Sequence, residues 1–357
     1  MDARRARAAT RAWVKSLTSE MPGLVAAHLV GGITTMPDDA PFPRTKDVDV
    51  HLIFAEGSPA LQQMGPIPNM LEVLYDGLII EAGFKPVSDY ETPEQVLGNP
   101  EIAHHLTLDS VLYDQEGRLA ALQAVVRAAY PQRRWVEARL AHERAGFERS
   151  LGLQDLARQY YGISGELSIL GYGTTFMSAV LDVAMLEAPR VGSKFAMRLA
   201  GRLDTLGRGD LHERLLTLMG VHDIDRPSVE RLLVAGAELF DATLAVRTLP
   251  HHFQHKLHPH MRAYFIDSCA EMIDARYHRE AMLWMIPYLC AAFDVLRAEG
   301  TPAQQAAALV QQTAFEERLG ITSQAEMDRR FAQSAALYEE FDTLARRIAV
   351  ETRLLTA

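Results

Sequence analysis

The sequence predicts an α+β protein, with a small β-sheet domain flanked by helices over residues 1–131 and an all-α helical bundle over residues 132–357. Two observations carry this prediction. From Leu24 to Asp114 apolar residues recur mostly with the two-residue period of strands, whereas after Pro131 almost every segment follows the 3.6-residue period of helices. A chain of 357 residues is also long enough for about two domains, at roughly 100–200 residues each.

The opening "MDARRARAATRAWVKSL" is Arg-rich and lacks the continuous apolar run of a secretory signal, so it reads as an amphipathic first helix. "LVAAHLV" and "DVDVHLIF" read as strands. In "MLEVLYDGLIIEAGF" the pair Asp76-Gly77 between two β-prone runs signals a hairpin, because both residues tolerate the positive φ that a tight turn needs. "SVLYD" is a further strand, and "EGRLAALQAVVRAAY" a helix that Pro131 closes. In "TTFMSAVLDVAMLEAP", Phe176, Val180 and Ala184 share one stripe and Met177, Leu181 and Met185 the next, the wide apolar face of a core helix. The uncharged run from Ala281 to Phe293 is too short to span a bilayer and reads as a buried helix kinked by Pro287.

Composition narrows the function classes. The formal charge is −10 and no Lys/Arg block lies beyond the first fifteen residues, which opposes a phosphate-tracking surface and hence a nucleic-acid partner. Two cysteines, Cys269 and Cys290, cannot alone build a disulfide framework or a thiolate metal site, which suits a reducing, cytoplasmic compartment, and the shortness of the run from Ala281 to Phe293 suggests no membrane contact.

The chemistry concentrates in "LVGGITTMPDDAPFPRTKDVDVHLIF". On a strand, residues two apart point the same way, so Asp47 and Asp49 project together while Val48 and Val50 face a core. Two converging ionised carboxylates shift one another's pKa or demand a cation, and a divalent metal satisfies them. A solvent-facing edge strand with two surface aspartates fits the same letters. Gly31-Gly32 follows directly on a strand and lets backbone N–H groups approach an anion. Glu81, inside the apolar "LIIEAGF", is a third acid that needs a reason. Three acids on neighbouring strands beside a Gly-Gly turn form a two-metal site for phosphoryl or nucleotidyl transfer.

These motifs, "VGG" at Val30 to Gly32, "TKDVDV" at Thr45 to Val50 and "IIEAGF" at Ile80 to Phe84, resemble the polymerase-β-type nucleotidyltransferase superfamily, in particular its small-molecule branch of aminoglycoside- and lincosamide-modifying enzymes. The resemblance covers about residues 20 to 130 and is looser beyond. It implies a mixed-sheet nucleotidyltransferase domain, two Mg²⁺ ions on Asp47, Asp49 and Glu81, and ATP or another nucleoside triphosphate lined by Gly31, Gly32, Thr45 and Lys46. It further implies a small-molecule acceptor, a general base and a phosphate-steadying cation from the helical half. Glu166 and Asp182 are the candidate acids for the base, and Lys194 and Arg190 the candidate cations, since Lys194 opens a helix after Gly192. Helical domains of this type often pair, so a homodimer is possible. The departure from the family pattern is the fifteen-position gap between Gly32 and Asp47, whose three prolines make a stiff loop in which Asp38 and Asp39 read as solvated acids.

Two other function classes remain. The same fold could serve as a catalytically retired binding or regulatory, antitoxin-like protein, although all three acids are kept. Transfer to RNA ends is opposed by the acidic balance. Elsewhere, His251, His252, His255, His258 and His260 read as a loop rather than a zinc site, and His104-His105 as a satisfied structural pair. Arg276 and Glu280 are spaced for an intrahelical ion pair, and Arg279 is a candidate for an anion.

Overall fold

The structure of the protein is a computed structural model that describes residues 1–62, 70–189, 192–248, 256–352 and 355. The chain is α+β and forms two compact units. The first comprises Met1–Glu143, Asp182–Arg190 and Arg346–Ala357, the second Arg144–Leu181 and Val191–Ala345. Where sequence periodicity sets one cut after residue 131, the units are discontinuous, because a helical period carries no record of which unit a helix end joins.

In the first unit five strands form one mixed sheet: β1 (Leu24–Leu29), β2 (Val48–Phe54), β3 (Met70–Tyr75), β4 (Leu78–Pro86) and β5 (Val111–Asp114), in the order β3-β4-β2-β1-β5. β2 and β4 are parallel and the other neighbours antiparallel. The β3–β4 hairpin turns on Asp76 and Gly77 at φ 48° and 76°. Both central residues are left-handed, the conformation that matches the twist of the flanking strands.

Alternation along the central strands divides the sheet into two unlike faces. Val48, Val50, Leu52 and Phe54 of β2 join Leu29, Ile80 and Ala82 in an apolar cluster. The helix α1 (Ala3–Glu20), whose N-terminus is capped by the Asp2 carboxylate accepting from the Arg5 N–H, covers that face with Ala6, Trp13, Val14 and Leu17. The short α2 (Pro59–Gln62) adds Ala60 and Leu61. On the other face Ala26 and Ile53 pack with residues of α3 (Pro93–Gly98), α4 (Pro100–Leu106) and α5 (Arg118–Ala129). Asp49 and His51 share this second face, so it passes from apolar at Ile53 to acidic at Asp49 within one strand.

The intermediate layer is polar but satisfied. His28 and His51, paired across β1 and β2, both bond the Tyr90 hydroxyl, at 2.9 and 3.0 Å, and His28 Nδ1 lies 3.1 Å from the Leu29 carbonyl. Because a carbonyl only accepts, His28 Nδ1 carries the hydrogen. Burial pushes the His28 pKa down to about 4 and holds that of His51 well below the usual imidazole value.

The proline-rich loop between β1 and β2 is tied to α1. After a 3₁₀ turn at Gly32–Thr35, Asp38 pairs with Arg4 at 3.2 Å and Arg7 at 2.6 Å, and Arg7 also donates to the carbonyls of Ile33 and Met36. Asp38, expected as a solvated acid, is exposed and also ion-paired, because the basic side of α1 faces it.

The second unit is helical. Among the described residues two helices of the chain, Gln154–Ala184 and His278–Glu299, are long and apolar enough to cross a membrane by length and composition, and 78% of the apolar window of each is buried inside the protein. The first is interrupted at Gly162, and Pro287 lies within the second.

The buried histidines give a pH signature. The unfolded chain binds more protons than the folded one between the depressed and ordinary imidazole values, so this contribution to stability is complete above pH ~6.5 and is lost as pH falls toward 4. For His28 the loss between pH 7 and pH 5 is about 2 kcal/mol. Glu143, whose carboxyl burial pushes up to about 8, acts with the opposite sign, so the wild-type total mixes both. Urea denaturation at pH 7 and pH 5 isolates the histidine term: His28→Gln should lose about 2 kcal/mol less on acidification than wild type, and parallel losses would contradict the assignment.

Candidate metal centre

The acid strand is organised by register. β2 and β4 run parallel with Asp49 directly beside Glu81, and β3 places Glu72 directly opposite Glu81 on its other side. Asp47 stands just before the first residue of β2. One oxygen each from Asp47, Asp49 and Glu81 lies within 4.8 Å of the other two, and all three side chains are half-buried. Ionised carboxylates so close repel one another, and a cation among them would offset that repulsion. An all-oxygen set of this kind suits a hard divalent ion such as Mg²⁺, Mn²⁺ or Ca²⁺.

Beside the acids the backbone leaves β1 through Val30, whose N–H donates to the Asp49 carbonyl at 2.9 Å. Gly31 then adopts φ 65°, ψ −161°, a combination essentially confined to glycine. A Cβ at this position would lie 2.0 Å from Asp49 Oδ2, so the missing side chain is the space the carboxylate occupies. The Gly31 N–H points to His105 Nε2 at 3.3 Å. Gly31 was expected to offer its amide to a nucleotide. That hydrogen is already used, and the residue acts instead through its shape.

Gly32 differs from Gly31. Its φ is not positive, and a Cβ there would meet only the tip of the Lys46 side chain, 3.2 Å from Nζ. The Lys46 ammonium therefore reaches the Gly pair, while the Lys46 N–H donates to the Pro43 carbonyl at 3.2 Å. Thr45 is buried next to it in sequence. The structure thus brings together Gly31, Gly32, Lys46, Asp47, Asp49 and Glu81.

Two of the helical-half candidates, Glu166 and Lys194, are engaged by partners of their own. Glu166 is fully buried in the second unit, where Gln324 donates to both its oxygens at 3.0 Å and Arg158 and Gln154 donate to Oε1. A carboxylate so engaged is a structural anion rather than a base, which its apolar helical surroundings did not reveal. Asp182 is buried within the first unit. Lys194, expected to meet phosphate, is ion-paired with Glu271 in the second unit. Arg190, and with it His251, His252 and His255, lies outside the described residues. Arg279 is held by Glu213 and the His222 carbonyl, and Glu280 pairs with His212, so the expected Arg276–Glu280 pair gives way to contacts with a neighbouring helix. Arg276 precedes that helix, with φ 70°.

Sequence reasoning missed Glu72 and His105 at the site. Glu72 alternates with apolar neighbours as Glu81 does, but only the hairpin register sets it across from that acid. His105 stood out in the sequence only as half of a histidine pair read as structural, and nothing there pointed to its partner, a backbone amide 74 positions away. Set against known protein families, characterised proteins and solved structures, the chain finds no match.

The two glycines should respond differently to the same substitution. Gly31→Ala should destabilise the protein by about 2 kcal/mol or more, through forbidden torsions and collision with Asp49, and Gly32→Ala by under about 1 kcal/mol, since the lysine tip can move. Urea denaturation of the two variants measures this, and equal losses would contradict it.

Proposed function

We propose that the protein is a divalent-metal-dependent nucleotidyltransferase that moves a nucleoside monophosphate, AMP from ATP in the first instance, to a hydroxyl of a small molecule and releases pyrophosphate. The observation that carries this is the convergence of Asp47, Asp49 and Glu81, with ligand oxygens within 4.8 Å, beside the Gly31–Gly32 turn. The mixed sheet, with its parallel β2–β4 pair bearing two of the acids, supports the polymerase-β-type nucleotidyltransferase fold that the motifs resemble.

Asp47, Asp49 and Glu81 would hold Mg²⁺. When bound, the ion supplies charge neutralisation for a triphosphate and for the pyrophosphate that leaves. The chain's own contribution is placement. β2 and β4 set Asp49 and Glu81 side by side, and Gly31 lets the backbone lie against Asp49. Lys46 carries positive charge to the Gly pair, where phosphate oxygens need it. In the reaction the acceptor oxygen bonds the α-phosphorus as the bond to the β-phosphate bridging oxygen breaks, and the hydroxyl proton goes to a base. Glu166 is not that base, because its oxygens are taken. A net charge of −10 favours an acceptor that bears amines. The two unpaired, buried cysteines favour the cytoplasm as its compartment.

Calorimetric titration with ATP, GTP, CTP and UTP, each with Mg²⁺ and with EDTA, tests the proposal. Binding of ATP should require Mg²⁺ and fall at least about tenfold in Asp49→Asn. The same substitution should also lose the thermal stabilisation that Mg²⁺ gives wild type. Failure of every nucleotide to bind, or equal binding with EDTA, would contradict the proposal.

A further inference from the structure

We infer that His105 is a positioning residue for this centre, which sets its cation affinity by clamping the Gly31 peptide against Asp49. The inference rests on Asp47, Asp49 and Glu81 being a cation site.

Gly31 is held on both sides of its residue. Its N–H donates to His105 Nε2 at 3.3 Å, and its carbonyl accepts from Thr34 Oγ1 at 2.7 Å. Thr34 Oγ1 in turn lies 3.3 Å from His105 Nδ1. The hydrogens can be assigned. Nε2 accepts, so it carries none, and the single hydroxyl hydrogen of Thr34 is spent on the Gly31 carbonyl. Nδ1 must therefore donate to Thr34 Oγ1, and the imidazole is the neutral Nδ1–H tautomer. The result is a closed circuit from the Gly31 amide through His105 and Thr34 back to the Gly31 carbonyl.

The clamp is itself fixed. His105 is buried in the last turn of α4, which starts at Pro100 under the Asn99 side-chain cap. The His105 carbonyl accepts from Ser110 Oγ at 2.7 Å and from the Leu108 N–H at 3.2 Å. The Ser110 carbonyl accepts from the Leu29 N–H at 2.8 Å, which ties this turn to the end of β1, two residues before Gly31. The imidazole is thus anchored to the same strand end whose continuation it holds.

What it holds is a conformation that only glycine adopts readily. The torsions of Gly31 are those open to glycine alone, and the absent Cβ leaves the volume that Asp49 Oδ2 fills. A flexible glycine released from the clamp would sample other conformations and cease to define the wall beside Asp49. Residues that orient a metal ligand in this indirect way typically change affinity 10- to 100-fold when lost.

Electron paramagnetic resonance titration with MnCl₂, which reads the free aqueous Mn²⁺ signal, tests this on wild type, His105→Leu, His105→Gln, Thr34→Val and Asp49→Asn. His105→Leu should weaken Mn²⁺ binding about tenfold, whereas His105→Gln, whose amide oxygen can accept from Gly31, should stay within about threefold of wild type. Recovery by glutamine separates the hydrogen bond from mere filling of space. Unchanged binding in His105→Leu, or a loss in His105→Gln as large as in His105→Leu, would overturn the inference. Should His105→Leu fail to melt cooperatively, Thr34→Val decides: a loss of about threefold or more supports the clamp and unchanged binding overturns it. Mn²⁺ binding by wild type that Asp49→Asn abolishes keeps the cation site intact whatever happens at His105. No binding by wild type would remove the cation site and the clamp together.

Discussion

Mutual repulsion of three carboxylates is the constraint on which the first unit is organised. Asp47, Asp49 and Glu81 present oxygens within 4.8 Å of one another, and Glu72 stands opposite Glu81 on the next strand. Like charges directly across a sheet destabilise it. The sheet tolerates them because its other face is wholly apolar: Val48, Val50 and Ile80, the immediate neighbours of these acids in sequence, are buried beneath α1. Burial of each alternate residue fixes the register, and the register delivers the acids to one another. Stability and the charged cluster are thus opposite faces of the same strands.

The face that carries the acids is built as a gradient. Ile53 and Ala26 lie in the apolar cluster under α3, α4 and α5, His51 and His28 share the Tyr90 hydroxyl in the next row, and Asp49 follows. Each polar group in the middle row has a partner, so the sheet passes from core to charged edge without a buried, unsatisfied layer. Burial keeps both imidazoles neutral. The glycine turn and His105 close the same row from the side of β1.

Much of this was legible in the sequence where physics is local. The period of two in "DVDVHLIF" separates Asp49 from Val48 and Val50, and the Asp76-Gly77 pair specifies a two-residue turn whose torsions the structure repeats. Glu81 was visible as an acid in an apolar strand. Its distance from Asp49 was not, because that depends on β4 pairing parallel with β2 although β3 lies between them in the chain. The same limit hid Glu72, His105 and the anchoring of the proline-rich loop through Asp38, each of which depends on a contact between elements far apart in sequence. In the helical half, Glu166 and Lys194 drew attention as charges in suggestive positions. Their partners, Gln324 and Arg158 for one and Glu271 for the other, lie on other helices, and a helical period does not say which charges will meet.

The central claim is that the three carboxylates bind a divalent ion that engages a nucleoside triphosphate. The most direct measurement is a crystal structure grown with MnCl₂ and a non-hydrolysable ATP analogue, with anomalous data collected near the manganese edge. The account predicts an anomalous peak bonded to Asp47, Asp49 and Glu81 at about 2.1–2.3 Å, with triphosphate oxygens completing its coordination. Ordered analogue with no peak among these three carboxylates, or a peak elsewhere on the protein alone, would contradict it.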